Sequence, residues 1–198
     1  MNPISRSAAI LLLAIGGLAP APVGAQLQPP EPFIDRGLCP FECCTYREWT
    51  ARTPVRVVGQ EGEPGPTRFT LRPGERFTAL GGNVHLPRAG IAIAVDTVTM
   101  DGDSVHPPVL LRPGDTVYVL TYLGEGMYHV WYQGAVRETF GFWPAPDEDT
   151  TRAGTPYPGR LLRSAEEHWW VQVRTAGGER GWVLMDSVDV SGSDLCGD

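Results

Sequence analysis

The sequence predicts an all-β protein made of small barrels, and three observations carry that expectation. Twenty-four glycines and 19 prolines punctuate 198 residues, which leaves little room for long amphipathic helices. The apolar stretches between these breaks are rich in Val, Thr, Tyr and Trp, residues that suit a pleated, half-buried surface. Finally, "TLRPGERFTAL" (70–80) returns forty residues later as "LLRPGDTVYVL" (110–120). Both copies have Leu-Arg-Pro-Gly, an acid, and an alternating tail that ends in Leu80 or Leu120. A repeat of this period signals related small β units. Pro73 or Pro113 presets one turn angle, Gly74 or Gly114 supplies the permissive one, and the acid opens a strand. Residues 76–80 and 116–122 are therefore expected to be equivalent strands.

Taken in order, residues 1–25 read as a secretory signal peptide: Arg6, an apolar run from Ala8 to Leu18, and the small-residue ending Val23-Gly24-Ala25. The run is about half the roughly 20 residues that a membrane helix needs, so no membrane span is expected. Residues 26–52 form a proline-rich lead-in without periodicity, extended or mobile, followed by a cysteine cluster. Its Cys39, Cys43 and Cys44, with Cys196, are an even set, which favours disulfides in an exported chain. Adjacent cysteines rarely bond to each other. Cys39 should therefore take Cys44 or Cys43, and the remaining one should reach Cys196 as a clamp between the two ends. A zinc site is disfavoured because the spacing lacks paired knuckles.

After the repeat, 116–122, 127–133 and 135–143 read as a meander of strands, and "HWWVQVRTAGGERGWV" (168–183) as a hairpin turning at Gly177-Gly178. The period of two puts Trp169, Val171 and Val173 inside, joined by Trp182, and turns Trp170 outward. A stretch rich in Asp, Thr and Pro, about 144–160, separates meander from hairpin.

Gly114-Asp115-Thr116-Val117, Trp170-Val171-Gln172-Val173 and Gly181-Trp182-Val183 together resemble the strands of bacterial Src-homology-3-like domains of exported proteins. The resemblance is tightest over the last 30 or so residues, and 70–80 resembles the opening of a divergent copy. It implies one or two Src-homology-3-like barrels: a first unit over 53–106, and a second over 107–198 carrying the long insertion at about 144–160. It also implies roles in binding cell-wall peptide or glycan, or in protein contact.

Charge and chemistry narrow the function classes. A net charge of −7, carried against 16 arginines and no lysine, gives a nucleic-acid backbone no electrostatic attraction. His85, His106, His129 and His168 stand singly, without ligand spacing, so neither a metal nor a cofactor is expected. "VSGSD" (190–194) lacks the context of a nucleophile elbow, and no acid, base and nucleophile form a set, which argues against an enzyme. Flat aromatic faces on barrel rims suit sugars and extended peptides. Tyr122, Tyr128, Trp131, Trp143, Tyr157 and Trp170 are the candidate binding residues. The expectation is an exported, periplasmic or secreted, non-catalytic binding module for cell-wall or envelope components. The alternative is an interaction protein whose barrels pack against an envelope partner, with a secreted enzyme of unidentified type a more distant third.

Overall fold

The computed structural model describes residues 28–62, 65–102, 104–139, 142 and 157–196, with backbone alone at 144–145, 151–152 and 155–156. The expected signal peptide lies outside the described residues, as do Trp143 and residues 146–150 and 153–154 of the 144–160 stretch. The fold is all-β, as the glycine and proline punctuation predicts. In chain order the strands are β1 (Phe33–Arg36), β2 (Glu48–Ala51), β3 (Val55–Val58), β4 (Thr67–Leu71), β5 (Arg76–Arg88), β6 (Gly90–Ala94), β7 (Val98–Met100), β8 (Val109–Leu111) and β9 (Thr116–Gly124). There follow β10 (Met127–Tyr132), β11 (Ala135–Thr139), β12 (Pro144–Ala145), β13 (Thr151–Arg152), β14 (Thr155–Pro156), β15 (Gly159–Arg163), β16 (Glu166–Thr175), β17 (Arg180–Leu184) and β18 (Val190–Ser191). One 3-10 turn, Met185–Ser187, precedes β18.

Two sheets organise these strands. The larger runs β18-β2-β5-β16-β17-β3-β4, with β1 also on β5, and the smaller runs β11-β10-β9-β6-β15-β12. Stripped to five strands, both follow one scheme: last, first, second, third, fourth. The smaller sheet lies between β5 and β16 in sequence, yet β5 and β16 pair antiparallel from Glu166↔Arg88 to Thr175↔Phe77. The second unit is therefore nested inside the first. The sheets do not follow the linear division into 53–106 and 107–198, because the tryptophan hairpin belongs with β2–β5 rather than with β9. Tandem order is the simplest reading of a repeat, and strand periodicity does not name a partner.

The repeat itself is exact in its hydrogen bonds. Gly74 N–H donates to the Ala51 carbonyl and Gly114 N–H to the Ala94 carbonyl, both at 2.8 Å. Ala51 and Ala94 donate back to the carbonyls of Glu75 and Asp115 at 3.0 and 2.9 Å. The acid of each copy turns back on its own loop, Glu75 accepting from Arg72 N–H at 2.9 Å and Asp115 from Arg112 N–H at 2.8 Å. Gly74 and Gly114 have φ of +84° and +93°, a region that costs an L-residue but not glycine.

Three apolar clusters follow from this plan. One fills the larger sheet around Trp49, Leu71, Phe77, Val171 and Val183. A second fills the smaller sheet around Leu111, Val117, Val130 and Phe142. The third, Val84, Leu86, Ala89 and Leu120, seals one sheet to the other. Part of the expected loose lead-in belongs to this joint, since 33–36 form β1 on β5. Phe33 packs edge-on to Trp131 at 6.2 Å, and buried Asp35 holds His129 Nδ1 at 2.8 and 3.0 Å.

The disulfides are Cys39–Cys44 and Cys43–Cys196, one of the two connectivities left open by the spacing. Cys43 has φ of +60°, a left-handed kink between two adjacent half-cystines. The clamp is reinforced by backbone bonds from Thr45 N–H to Ser193 and from Leu195 N–H to Cys43. Among the described residues no helix is long and apolar enough to cross a membrane.

Candidate functional site

The tryptophan hairpin divides its indoles by register. Val171 pairs with Val183, Gln172 with Trp182 and Val173 with Gly181. Trp169, Val171 and Val173 face inward as expected; Trp169 packs against Trp49 at 6.0 Å and donates its indole N–H to the Tyr46 hydroxyl at 3.2 Å. Burial pushes the Tyr46 phenol up to about 12, the hydrogen bond from Trp169 opposing that rise. Trp182 departs from expectation. The loop spans three residues rather than two, with Thr175 N–H bonded to Glu179 and Gly178 at φ +84°. That shifts the register by one and places Trp182 across from Gln172, on the face of Trp170.

Trp170 departs as well. It lies on the outer face, but it is only 4% exposed, because that face is covered. The His85 ring sits 6.2 Å away, and Leu184 is its cross-strand neighbour. Beside it opens a groove of about 210 Å³, lined by Pro54, Arg56, Trp170, Trp182, Leu184 and Val188 among others. Trp182 is half-buried there and offers the accessible indole. Arg56 is held in place by Thr67 Oγ1 at 2.8 Å and by the Gly65 carbonyl. The groove thus combines an aromatic surface with one fixed positive charge at its edge.

A second hollow, of about 780 Å³, lies between the 59–66 loop, Ile34 and His85. Its loop includes residues 63 and 64, outside the described set, and reaches the neighbouring strands through Glu61. Glu61 accepts from Asn83 Nδ2 at 2.6 Å and faces Arg36 and His85 at 3.5 and 3.4 Å. This set ties the loop to β5.

Of the six aromatic candidates, the structure brings two together. Tyr122 and Tyr128 are cross-strand partners with ring centroids 5.0 Å apart, tilted by 53°. The Tyr122 hydroxyl accepts from Gly126 N–H at 3.3 Å. The Tyr128 phenol is raised above its ordinary value, first by burial, then by the charges of Tyr122, Glu167 and Tyr157. Trp131 lies elsewhere, in the joint between the sheets, and its indole N–H is buried without a partner.

His85, His129 and His168 serve structural pairs with acids. His129 meets Asp35 across the joint, and His168 Nδ1 meets Asp186 at 2.6 Å. Cys43, Asp194 and Cys196 come within metal-binding distance of one another, but both sulfurs are spent in the same disulfide. Sequence reasoning missed Pro54 and Arg56 of the groove. Neither has a motif, and each gains meaning only from neighbours distant in the chain. No family model matches this chain, and neither does a curated protein or a solved structure.

Proposed function

We propose that this protein is an exported, non-catalytic binding module that holds an extended cell-wall or envelope component in the groove beside Trp182. The groove carries this reading. A half-buried indole next to a fixed guanidinium gives an extended ligand an apolar face to lie on and a site for a carboxylate. The Val-Gly-Ala leader and the two disulfides support export. The resemblance of Gly181-Trp182-Val183 and the Trp170 strand to Src-homology-3-like domains of exported proteins supports a wall ligand.

The test is co-sedimentation of the mature chain with purified sacculi, alongside capture from envelope extract. Retention on sacculi that falls about tenfold in Trp182→Ala, with an unchanged melting temperature, supports the reading. Equal retention of the variant, or none by the parent, overturns it. Binding only in the extract arm favours a protein partner, for which the exposed Val95, Leu110 and Leu162 of the nested unit offer apolar contact.

A further inference from the structure

The outer face of β16, β17 and β3 carries arginines on both sides of Trp182. Register sets the layout: Trp170, Gln172 and Arg174 alternate along β16 opposite Leu184, Trp182 and Arg180 of β17, and Trp182 in turn lies opposite Val58 of β3. Their neighbours Val171, Val173 and Val183 point inward and are buried, so Arg174 and Arg180 stand on the face of Trp182, both exposed. Because β3 runs antiparallel to β17, Arg56 lies on one side of the Trp182–Val58 line and Arg180 on the other. Two residues each way, at the rise of a strand, separate them by roughly 13 Å along the sheet.

Both ends of this face suit an anion. Arg174 and Arg180 are direct cross-strand partners, an arrangement that repels itself. No described acid pairs with either, in a chain whose net charge is −7. Arg56 donates Nε to Thr67 Oγ1 at 2.8 Å and Nη2 to the Gly65 carbonyl, both from one edge of its guanidinium. The other edge, Nη1 with the second Nη2 hydrogen, keeps the fork that holds an oxyanion bidentately. Between the charges lie the accessible indole of Trp182 and the half-buried amide of Gln172. Trp182 is paired on both sides, with β16 and with β3, so an extended peptide finds no strand edge to add to beside it. A sugar ring needs only an aromatic plane and side-chain donors. Resting on the reading of the groove as a ligand site, we propose that this face binds an acidic polysaccharide, with a sugar ring on Trp182 and anionic groups on Arg56 and on the Arg174–Arg180 pair.

Guanidinium forks accept carboxylates and sulfate or phosphate esters alike, and two probes separate these sources. Calorimetric titration of the mature chain with polygalacturonate, which carries carboxylates, and with dextran sulfate, which carries sulfate esters, is expected to give saturable binding that weakens as salt is raised. The tighter probe names the anionic group. Neutral dextran is expected not to bind. The double variant Arg174→Gln, Arg180→Gln weakens binding about tenfold, while its melting temperature stays level or rises because the like-charge contact is gone. Trp182→Ala also weakens it, whereas Arg160→Gln, an exposed position on the smaller sheet, keeps it and excludes a general effect of lost positive charge. Binding of neither polyanion, equal binding of dextran, parental affinity in the folded double variant, an equal loss in Arg160→Gln, or tighter binding of poly-L-glutamate overturns the proposal. Sacculus retention that depends on Trp182 but withstands the double arginine change also overturns it and leaves the groove reading standing, whereas loss of sacculus retention by the parent removes both.

Discussion

The two nested units use one frame and fill it differently. Backbone bonds from the Pro-Gly turns equate Ala51 with Ala94, so Trp49 of the outer unit stands where the inner unit has Ala92. Likewise Phe77 corresponds to Val117, forty residues on. The inner unit makes up the missing volume from other strands, with buried Met100, Tyr132 and Phe142. The hairpins differ too. In the outer unit β3–β4 joins the sheet through Trp182↔Val58, whereas β7–β8 of the inner unit remains a separate pair, tied to β11 by Arg137 Nη1 on the Pro107 carbonyl at 3.0 Å. Turn chemistry fixes a small barrel's outline, and its interior can be packed from whichever strand supplies the bulk.

The largest expected contrast comes from the clamp, which closes a separation of 153 residues between Cys43 and Cys196 on the outer unit alone. A Cys43→Ser, Cys196→Ser double variant should lose about 5 kcal/mol by the chain-entropy estimate. Amide exchange should show that loss in β2, β5 and β16, with β9 and β10 affected less. A uniform loss across both sheets would mean that the units unfold as one body.

Next in size are the unequal cores. Trp49→Ala and Phe142→Ala should each cost about 3–5 kcal/mol, the first loosening the outer sheet and the second the inner. Urea unfolding read by near-ultraviolet dichroism, with amide exchange to place the loss, checks this. If Trp49→Ala chiefly unprotected β9 and β10, the assignment of Trp49 to the outer core alone would fail.

The smallest effects are expected at the turns. Gly74→Ala and Gly114→Ala meet open space but must adopt positive φ, so each should cost about 1–2 kcal/mol. Because the two turns are equivalent, the two losses should agree. A marked inequality would show that the frame is shared only in outline.

Much of this molecule was legible in its sequence: the all-β class, the equivalence of the Pro-Gly turns, and the disulfide set. Those features are written locally, in turn residues and strand alternation. The nesting was not legible, because β5 and β16 find each other across the whole inner unit and alternation says nothing of a partner. Trp170 illustrates the same gap at one residue. Alternation assigns its face of the strand, but whether that face meets solvent depends on His85 and on elements far away in the chain. Of the candidate aromatics, Tyr122 and Tyr128 met across a hairpin that periodicity could anticipate, whereas Arg56 came to the groove beside Trp182 only through the fold.

Nesting also sets an order in time. Arg88 at the end of β5 and Glu166 at the start of β16 are 78 residues apart in sequence. At about 5–20 residues per second, a chain delivered from its N-terminus leaves that edge of β5 without its partner for roughly 4–16 seconds. During that interval the inner unit can fold on local contacts, and its completion carries β16 back to the strand that waits for it. Cys43 waits longer still for Cys196, next to a Cys44 that can already bond to Cys39. The last covalent act of maturation is therefore also the check that the outer barrel has closed around its guest.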